Sequence, residues 1–357
     1  MEVDKTLITE LIESALSADY TAVRRSGNAI ARQLASQDDQ EGAKAIKSIL
    51  RKRGVPLQAS GYAETLPRDS GSRLPLIEEG EWPTTPLFLN SDSNATVSQF
   101  VDDAKNIDLL SERGVSARLG LLLHGPPGTG KSLLAGHIAA LLGRPFYITR
   151  LDSLISSRLG DTAKNIRGVF EYVPAKKAVL FLDEMDAMAK VRDDRHELGE
   201  LKRVVNTVLQ GLDSLTDDVV TIAATNHAHL LDPAIWRRFP YKLKLNLPDF
   251  DLRESLWLNF LYENDESRRE EASVLARVSD GLNGADIENI ALAARRRAIL
   301  SGTEPPLAKV LMAISGSHSG NARLIDNDDL DTEAKRTLII FLHEKGGIKQ
   351  AKIARIA

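Results

Sequence analysis

Residues 121–132 read Leu-Leu-Leu-His-Gly-Pro-Pro-Gly-Thr-Gly-Lys-Ser, an apolar run that breaks into glycines, prolines, a lysine and a hydroxyl. No other stretch restricts the fold as tightly. The apolar run has the character of a buried strand, and "SLLAGHIAALLG" after it has the character of a helix. The turn between them, Gly125-x-x-x-x-Gly130-Lys131-Ser132, has the spacing of a phosphate cradle. Glycines let successive N–H groups point inward at phosphate oxygens. Lys131 is placed to reach the β- and γ-phosphates, the Ser132 hydroxyl to ligate Mg²⁺, and the helix N-terminus to face the anion. Pro126 and Pro127 stiffen the loop, and Gly128, Thr129 and Leu133 complete the predicted binding set.

A phosphate cradle needs an acid for the metal and a group that activates water. "AVLFLDEMD" supplies both at the end of a second apolar strand: Asp183 for the Mg²⁺ shell and Glu184 to polarise the attacking water. The expected ligands are therefore ATP and Mg²⁺. Around these motifs, residues 95–248 alternate short apolar runs ("GLLLHG", "PFYITRL", "AVLFLDE", "VVTIAATN", "KLKLNLP") with helical patterns. That alternation predicts an α/β fold, a P-loop parallel sheet sandwiched by helices. Residues 249–325 turn helical throughout, as in "LRESLWLNFLYEN" and "ADIENIALAARRRAIL", and predict a small helical lid domain.

The flanks are simpler. In residues 1–54, Leu7/Ile8, Leu11/Ile12 and Ala15/Leu16 recur every four positions. Val23, Ile30 and Leu34 suit a second helix, and Ala43, Ile46, Ile49 and Leu50 a third. Three short amphipathic helices bury their stripes against one another, so a three-helix bundle that recruits a partner is expected. Arg51-Lys52-Arg53 reads either as a binding patch or as a solvated last turn that complements the helix dipole, the commoner role of such a run. Residues 55–94 are rich in Pro, Gly and Ser without sustained period and predict a linker. The tail, 326–357, predicts a helix, a Gly-Gly break and a second helix. Its "GGIKQAKIARIA" has the look of an opening helix-turn-helix, against which stands simple helical packing on the lid or a neighbour.

Composition excludes little but trims the options. Forty-six Lys and Arg against 50 Asp and Glu leave a formal charge of -4, so bulk electrostatics gives no reason to expect nucleic-acid binding. There is no cysteine, hence no disulfide, thiolate nucleophile or Cys-ligated metal. The N-terminus lacks a signal-peptide pattern and no apolar window reaches membrane-span length, so a cytoplasmic protein is expected.

From Val97 to Leu300 the chain resembles the AAA subfamily of AAA+ ATPases, most strongly from Leu121 to Pro248. "TIAATNHAHLLDPAIWRRFPYKLKLNLPD" is similar to that family's second region of homology. The resemblance implies that Asn226, at a strand tip, orients the lytic water and senses the γ-phosphate. It implies that Arg237 and Arg238 are arginine fingers reaching a neighbouring subunit's site, and hence a homo-oligomer, usually a hexameric ring. Two adjacent arginines before Phe239 are nearest the branch of spastin and katanin. Gly284 and Ala285 fall where the family contacts base and ribose. Arg158, Leu159 and Gly160 align with its pore loop, with Arg158 in place of an aromatic, and Lys190 to Glu200 with a second pore loop. Asn90–Gln99 occupies the region of the family's adenine-binding stretch without matching it. His124 takes a position where tyrosine is frequent and is expected to pack.

Three functions follow. One is a ring motor that remodels, unfolds or disassembles a protein client; another is an ATP-gated regulator of a partner enzyme such as a subtilisin-like protease. A nucleic-acid remodeller is the third, supported by the tail and Arg158.

Overall fold

The computed structural model describes residues 6–10, 26, 27, 29–31, 33, 34, 39, 42–44 and 46 near the N-terminus. It then describes 66–69, 75–115, 118–151, 154, 159–190, 198–305, 307–318, 339 and 343. The chain divides into two units, Met1–Leu66 and Pro67–Ala357. In the first, the described residues other than 39 and 66 are helical. Ile30, Leu34 and Ala43 form a small buried cluster, with Leu7 and Ile46 packed on it. Arg51 to Arg53 lie outside the described residues, as does the 326–357 tail apart from helical residues 339 and 343.

The second unit is built on a six-stranded sheet of order β1-β3-β4-β5-β2-β6. Its strands are β1 (Glu78–Gly80), β2 (Gly120–His124), β3 (Phe146–Arg150), β4 (Val179–Asp183), β5 (Val220–Thr225) and β6 (Tyr241–Lys244). All neighbours run parallel except β1, which pairs antiparallel with β3. The middle strands are buried along almost their whole length, which is why their sequences are nearly continuous in apolar residues rather than alternating. Helices α1 (Ser91–Lys105), α2 (Ile107–Glu112), α3 (Lys131–Leu142), α4 (Leu159–Tyr172), α5 (Ala187–Lys190), α6 (Leu198–Ser214) and α7 (Pro233–Trp236) connect them. Leu134, Ala135, Ile138 and Ala139 of α3 are fully buried in the cluster that contains Leu121, Leu123, Phe181 and Ile222 of the sheet.

α1 seats on the outer strand β6. Its Phe100 ring meets Tyr241 edge to face at 5.0 Å, and the Tyr241 hydroxyl donates to the Asp103 carboxylate. Burial, together with that carboxylate, pushes the Tyr241 phenol up to about 12.

Helices α8 (Phe250–Tyr262), α9 (Arg269–Val278), α10 (Gly284–Ser301) and α11 (Leu307–His318) form the lid. Asp249 caps α8 by accepting from Leu252 N at 2.9 Å, and Asn283 caps α10 from Asp286 N at 2.8 Å. Trp257, Leu275, Leu311 and Ile314 are fully buried in one cluster. Arg253, also buried, ties the start of α8 to the end of α9. Its guanidinium donates to the carbonyls of Pro248 (2.7 Å) and Ala276 (2.8 Å) and pairs with Asp280 at 2.9 Å.

The expected linker 55–94 needs correction at its C-terminal end. Residues 78–80 are a strand of the sheet, with Glu78 opposite Ile148 and Gly80 opposite Phe146. Ile77 is fully buried, and Leu76 N donates to Pro67 O at 2.8 Å. A three-residue edge strand holds too few alternating positions to register as periodicity, and Glu78 to Gly80 carry no buried apolar side chain of their own.

Candidate nucleotide site

The carboxyl ends of β2, β4 and β5 come to one edge of the sheet, where α/β sheets place their ligands. There a cleft of about 440 Å³ opens between the sheet edge and the lid. Its floor is Pro127 to Leu133, its far wall Asp183, Glu184 and Asn226, and its roof Gly284, Ala285 and Glu288 of α10. Gly125 and Pro126 do not line the cleft; they hold the loop from behind. A Cβ on Gly125 would meet Leu245 O at 2.0 Å, and one on Gly128 (φ +72) would meet the Asn283 side chain at 2.5 Å. Glycine is required at both because backbone and lid approach too closely for any side chain. Ala285 N also donates to Gly128 O at 3.1 Å, so the loop and the first turn of α10 are hydrogen-bonded together.

Lys131 opens α3 and is buried, its ammonium donating to Gly125 O (2.9 Å) and Pro126 O (2.7 Å). Burial lowers its pKa, opposed by the negative charges of Asp183 and Asp186. The loop thus holds a buried cation on carbonyls alone, an arrangement that an incoming phosphate would improve. The Ser132 hydroxyl lies 3.3 Å from Asp183 Oδ2, so a hydroxyl and a carboxylate oxygen of the type Mg²⁺ takes face each other. Among the described residues no group of three His, Cys, Asp or Glu could hold a metal by itself. Mg²⁺ at this pair would accordingly rely on phosphate and water oxygens for the rest of its shell.

Glu184 adopts a left-handed backbone (φ +56), and its N–H donates to Asp183 Oδ1 at 2.8 Å. For a residue with a Cβ that conformation costs on the order of 1–3 kcal/mol. It turns the chain at the strand tip so that Asp183 and Glu184 both face the cleft. Asn226 lies opposite at the tip of β5. Its Oδ1 is buried and makes no hydrogen bond, an acceptor left open in the cleft wall.

The two arginines part company. Arg237 is exposed, and its side chain makes no hydrogen bond or ion pair with any described residue; only its backbone N–H is used, donating to Pro233 O at 3.3 Å. Arg238 is occupied within its own chain: it grips Asp213 of α6 through Nε (3.1 Å) and Nη2 (2.8 Å) and donates to Ala234 O at 2.8 Å. Arg118 binds the same carboxylate at 2.8 Å. Hydrogen bonds from Arg238, then from Arg118, with both charges, hold the Asp213 carboxyl below the usual carboxylate range against a smaller opposing effect of burial. Neither Arg237 nor Arg238 lines the cleft. His124 packs as expected, half-buried with its ring edge to face with Trp236 at 5.2 Å. Burial, Lys244 and Lys131 depress its pKa, which favours the neutral ring.

The segment aligned with the family's adenine-binding stretch lies away from the cleft. Asn90–Gln99 does not reach the cleft; Asn90 caps α1, accepting from Ser93 N at 2.9 Å, and Ser91 onward is helix. Thr85, Pro86, Leu87 and Phe88 line it instead, with Leu252, Leu256 and Phe260 of α8. Phe88 and Phe260 meet edge to face at 6.3 Å. Nothing in the sequence marked these residues beyond a Pro-Leu-Phe stretch inside an unpatterned segment. Of the expected pore loop, Arg158 lies outside the described residues, while Leu159 and Gly160 open α4 with their side chains undescribed. Residues 191–197 of the second loop are likewise outside.

A family model described as "ATPase family associated with various cellular activities (AAA)" matches residues 121–247. An uncharacterized AAA family ATPase, y4kL, of Sinorhizobium fredii is 36% identical over 231 residues, covering 62% of this chain and 69% of that protein. The chain belongs to the AAA family of ATPases. Its relatives include the ATP-dependent zinc metalloprotease FtsH 3 of Sphaerobacter thermophilus, 30% identical over 79% of this chain and 58% of that protein. A proteasome-activating nucleotidase of Saccharolobus solfataricus is 30% identical over 84% of this chain and 80% of that protein. As an AAA ATPase the chain binds and hydrolyses ATP. Among the described residues no helix is long and apolar enough to cross a membrane.

Proposed function

We propose that this AAA protein is a ring motor: it hydrolyses ATP between protomers and uses the energy to remodel, unfold or disassemble a protein client. The reading is carried by the charge of the cleft. Three carboxylates and a single lysine line it, with no arginine of the same chain among the described residues, while Arg237 stands exposed just past the end of α7. Phosphoryl transfer spreads negative charge over the γ-oxygens, and a guanidinium has to meet it. A second copy supplies that guanidinium, and one such head-to-tail contact repeated around an axis closes into a ring, here a hexamer.

Within one protomer, Lys131 leaves its loop carbonyls for the β- and γ-phosphates. Ser132 and Asp183 hold Mg²⁺, which when bound offsets phosphate charge. Glu184 polarises the attacking water, and the open Oδ1 of Asn226 accepts a hydrogen bond from it. Phe88, Leu252, Leu256 and Phe260 seat the base, with Gly284, Ala285 and Glu288 on the ribose side. Arg237 is the finger; Arg238 fixes α7 through Asp213 so that the finger is presented. The adjacent arginines before Phe239 support a place near the spastin and katanin branch.

The N-terminal helices recruit the client, and Arg158, Leu159 and Gly160 face it in the pore, where Arg158 favours acidic segments. Two relatives are named as a metalloprotease and a proteasome-activating nucleotidase, which supports a second reading in which the unfolded client passes to a partner protease.

Glu184→Gln with ATP tests the core of the proposal. This variant is expected to bind ATP, assemble into a ring and hold a client that co-elutes with it. A monomer in saturating ATP, or hydrolysis near the native rate, would refute it.

A further inference from the structure

Asp186 has no part in the chemistry above, although it is 2% exposed and its carboxylate sits at the back of the cleft wall. Taking a carboxylate out of water is costly unless donors replace the water, so what it holds is informative. Its Oδ1 accepts from the Thr225 hydroxyl at 3.0 Å and from the backbone N–H of Asn226 at 3.3 Å. Thr225, itself buried, uses the same oxygen to accept from His227 N at 3.1 Å. Three consecutive residues at the tip of β5 thus hang from one carboxylate. The preceding residue of the acid's own segment is tied to the same strand, Met185 N donating to Ala224 O at 3.0 Å.

Asn226 is the middle residue of the three, and its side chain carries the open buried acceptor. Asp186 does not line the cleft, so it touches neither nucleotide nor metal. We propose that Asp186 is a positioning residue: through Thr225 and the Asn226 backbone it aims the Asn226 amide at the attacking water. The proposal rests on the role given to Asn226 above. The hydrogen-bond directions support it. The Thr225 proton is committed to Asp186 and its lone pair to His227, so the backbone of the turn is held in one arrangement while the Asn226 Oδ1 is left open.

A double-mutant cycle in the full chain tests it, with kcat and KM for ATP measured on the assembled protein. Asp186→Ala is expected to lower kcat about 10- to 100-fold, the scale of a displacement of about 1 Å at a reacting centre, while KM moves less than about threefold. Asp186→Asn keeps an amide oxygen to accept both donors and is expected to recover most of that loss. Adding Asp186→Ala to Asn226→Ala should cost no more than about a further twofold, because the residue acts through Asn226. Should Asp186→Ala fail to fold, Thr225→Val, which removes the hydroxyl donor at similar volume, replaces it in the cycle with the same expectations and a smaller loss. A native kcat in the variant that folds, a loss confined to KM, or full additivity with Asn226→Ala overturns the positioning role. Asn226→Ala with native kcat overturns the underlying assignment of Asn226 instead.

Discussion

Arg237 and Arg238 are neighbours in sequence, yet the structure predicts opposite consequences for removing them. Arg238 makes two hydrogen bonds to Asp213 and one to Ala234 O, with its side chain 26% exposed and that of Asp213 44% exposed. Exposed ion pairs contribute only about 0.2–1 kcal/mol. The bidentate geometry and the carbonyl bond add to that, so Arg238→Ala should cost about 1–2 kcal/mol. At roughly 2–4 °C per kcal/mol for a chain of this size, Tm falls by about 2–8 °C. Arg237→Ala breaks no bond and should leave Tm within about 2 °C. Hydrolysis reverses the order. Loss of a finger costs on the order of 10³-fold or more in kcat, whereas loosening α7 costs about tenfold.

Thermal unfolding and ATP turnover on the same preparations separate the two. So does complementation: Arg237→Ala protein keeps its own cradle, and Lys131→Ala protein keeps its own finger, so mixing them should restore part of the activity. Acid supplies a further check. The Asp213 carboxyl titrates below its ordinary 3.8 in the folded chain, so its contribution is complete above that value and is lost as pH falls through the lower, folded value. The Tm gap between native protein and Asp213→Asn should therefore close in that acidic range. The reasoning is refuted if Arg237→Ala turns over normally, or if Arg238→Ala unfolds at the native temperature and a gap persists in strong acid.

Phe88→Ala should raise KM for ATP about tenfold with kcat nearly unchanged, as expected of a base seat remote from the γ-phosphate; an altered kcat at native KM would remove Phe88 from that seat. His124 is held below its ordinary 6.5 when folded, so the unfolded chain takes up its proton first as pH falls. Stability should decline as pH drops from 6.5, and His124→Phe should flatten that decline in Tm measured across the range. Gly128→Ala should abolish nucleotide binding in a titration with a fluorescent ATP analogue, because its Cβ would drive into Asn283 at the lid.

The sheet was legible because β2, β4 and β5 are buried on both faces, so their apolar runs stand out from any background. The phosphate loop was legible for a different reason: close approach at Gly125 and Gly128 leaves the sequence no alternative residue. The base seat was not. Leu87 and Phe88 reach the cleft from an irregular segment, and Leu252, Leu256 and Phe260 share a helix whose other faces also need apolar residues for the lid core. Contact across 172 positions of chain, such as Phe88 with Phe260, leaves no local period. The separation of Arg237 from Arg238 was equally invisible, since the carboxylate that distinguishes them, Asp213, lies on a different helix.

What unites these features is that the site is incomplete in charge and over-determined in geometry. Gly125 N ties the loop to Thr225 O of β5, Ala285 N ties the lid to Gly128 O, and Asp186 ties the strand tips together, so the cleft walls stay in place while Lys131 turns to the phosphates. Asp183, Glu184 and Glu288 meanwhile give the cleft three negative charges against the one of Lys131. A polyanion entering such a cleft is held by the loop N–H groups and Lys131 against three side-chain carboxylates. In the proposed ring further positive charge arrives from outside the protomer, as a divalent cation with the nucleotide and as a guanidinium from the next copy. In that arrangement assembly and turnover become one requirement, because the charge that completes the site comes from the next copy.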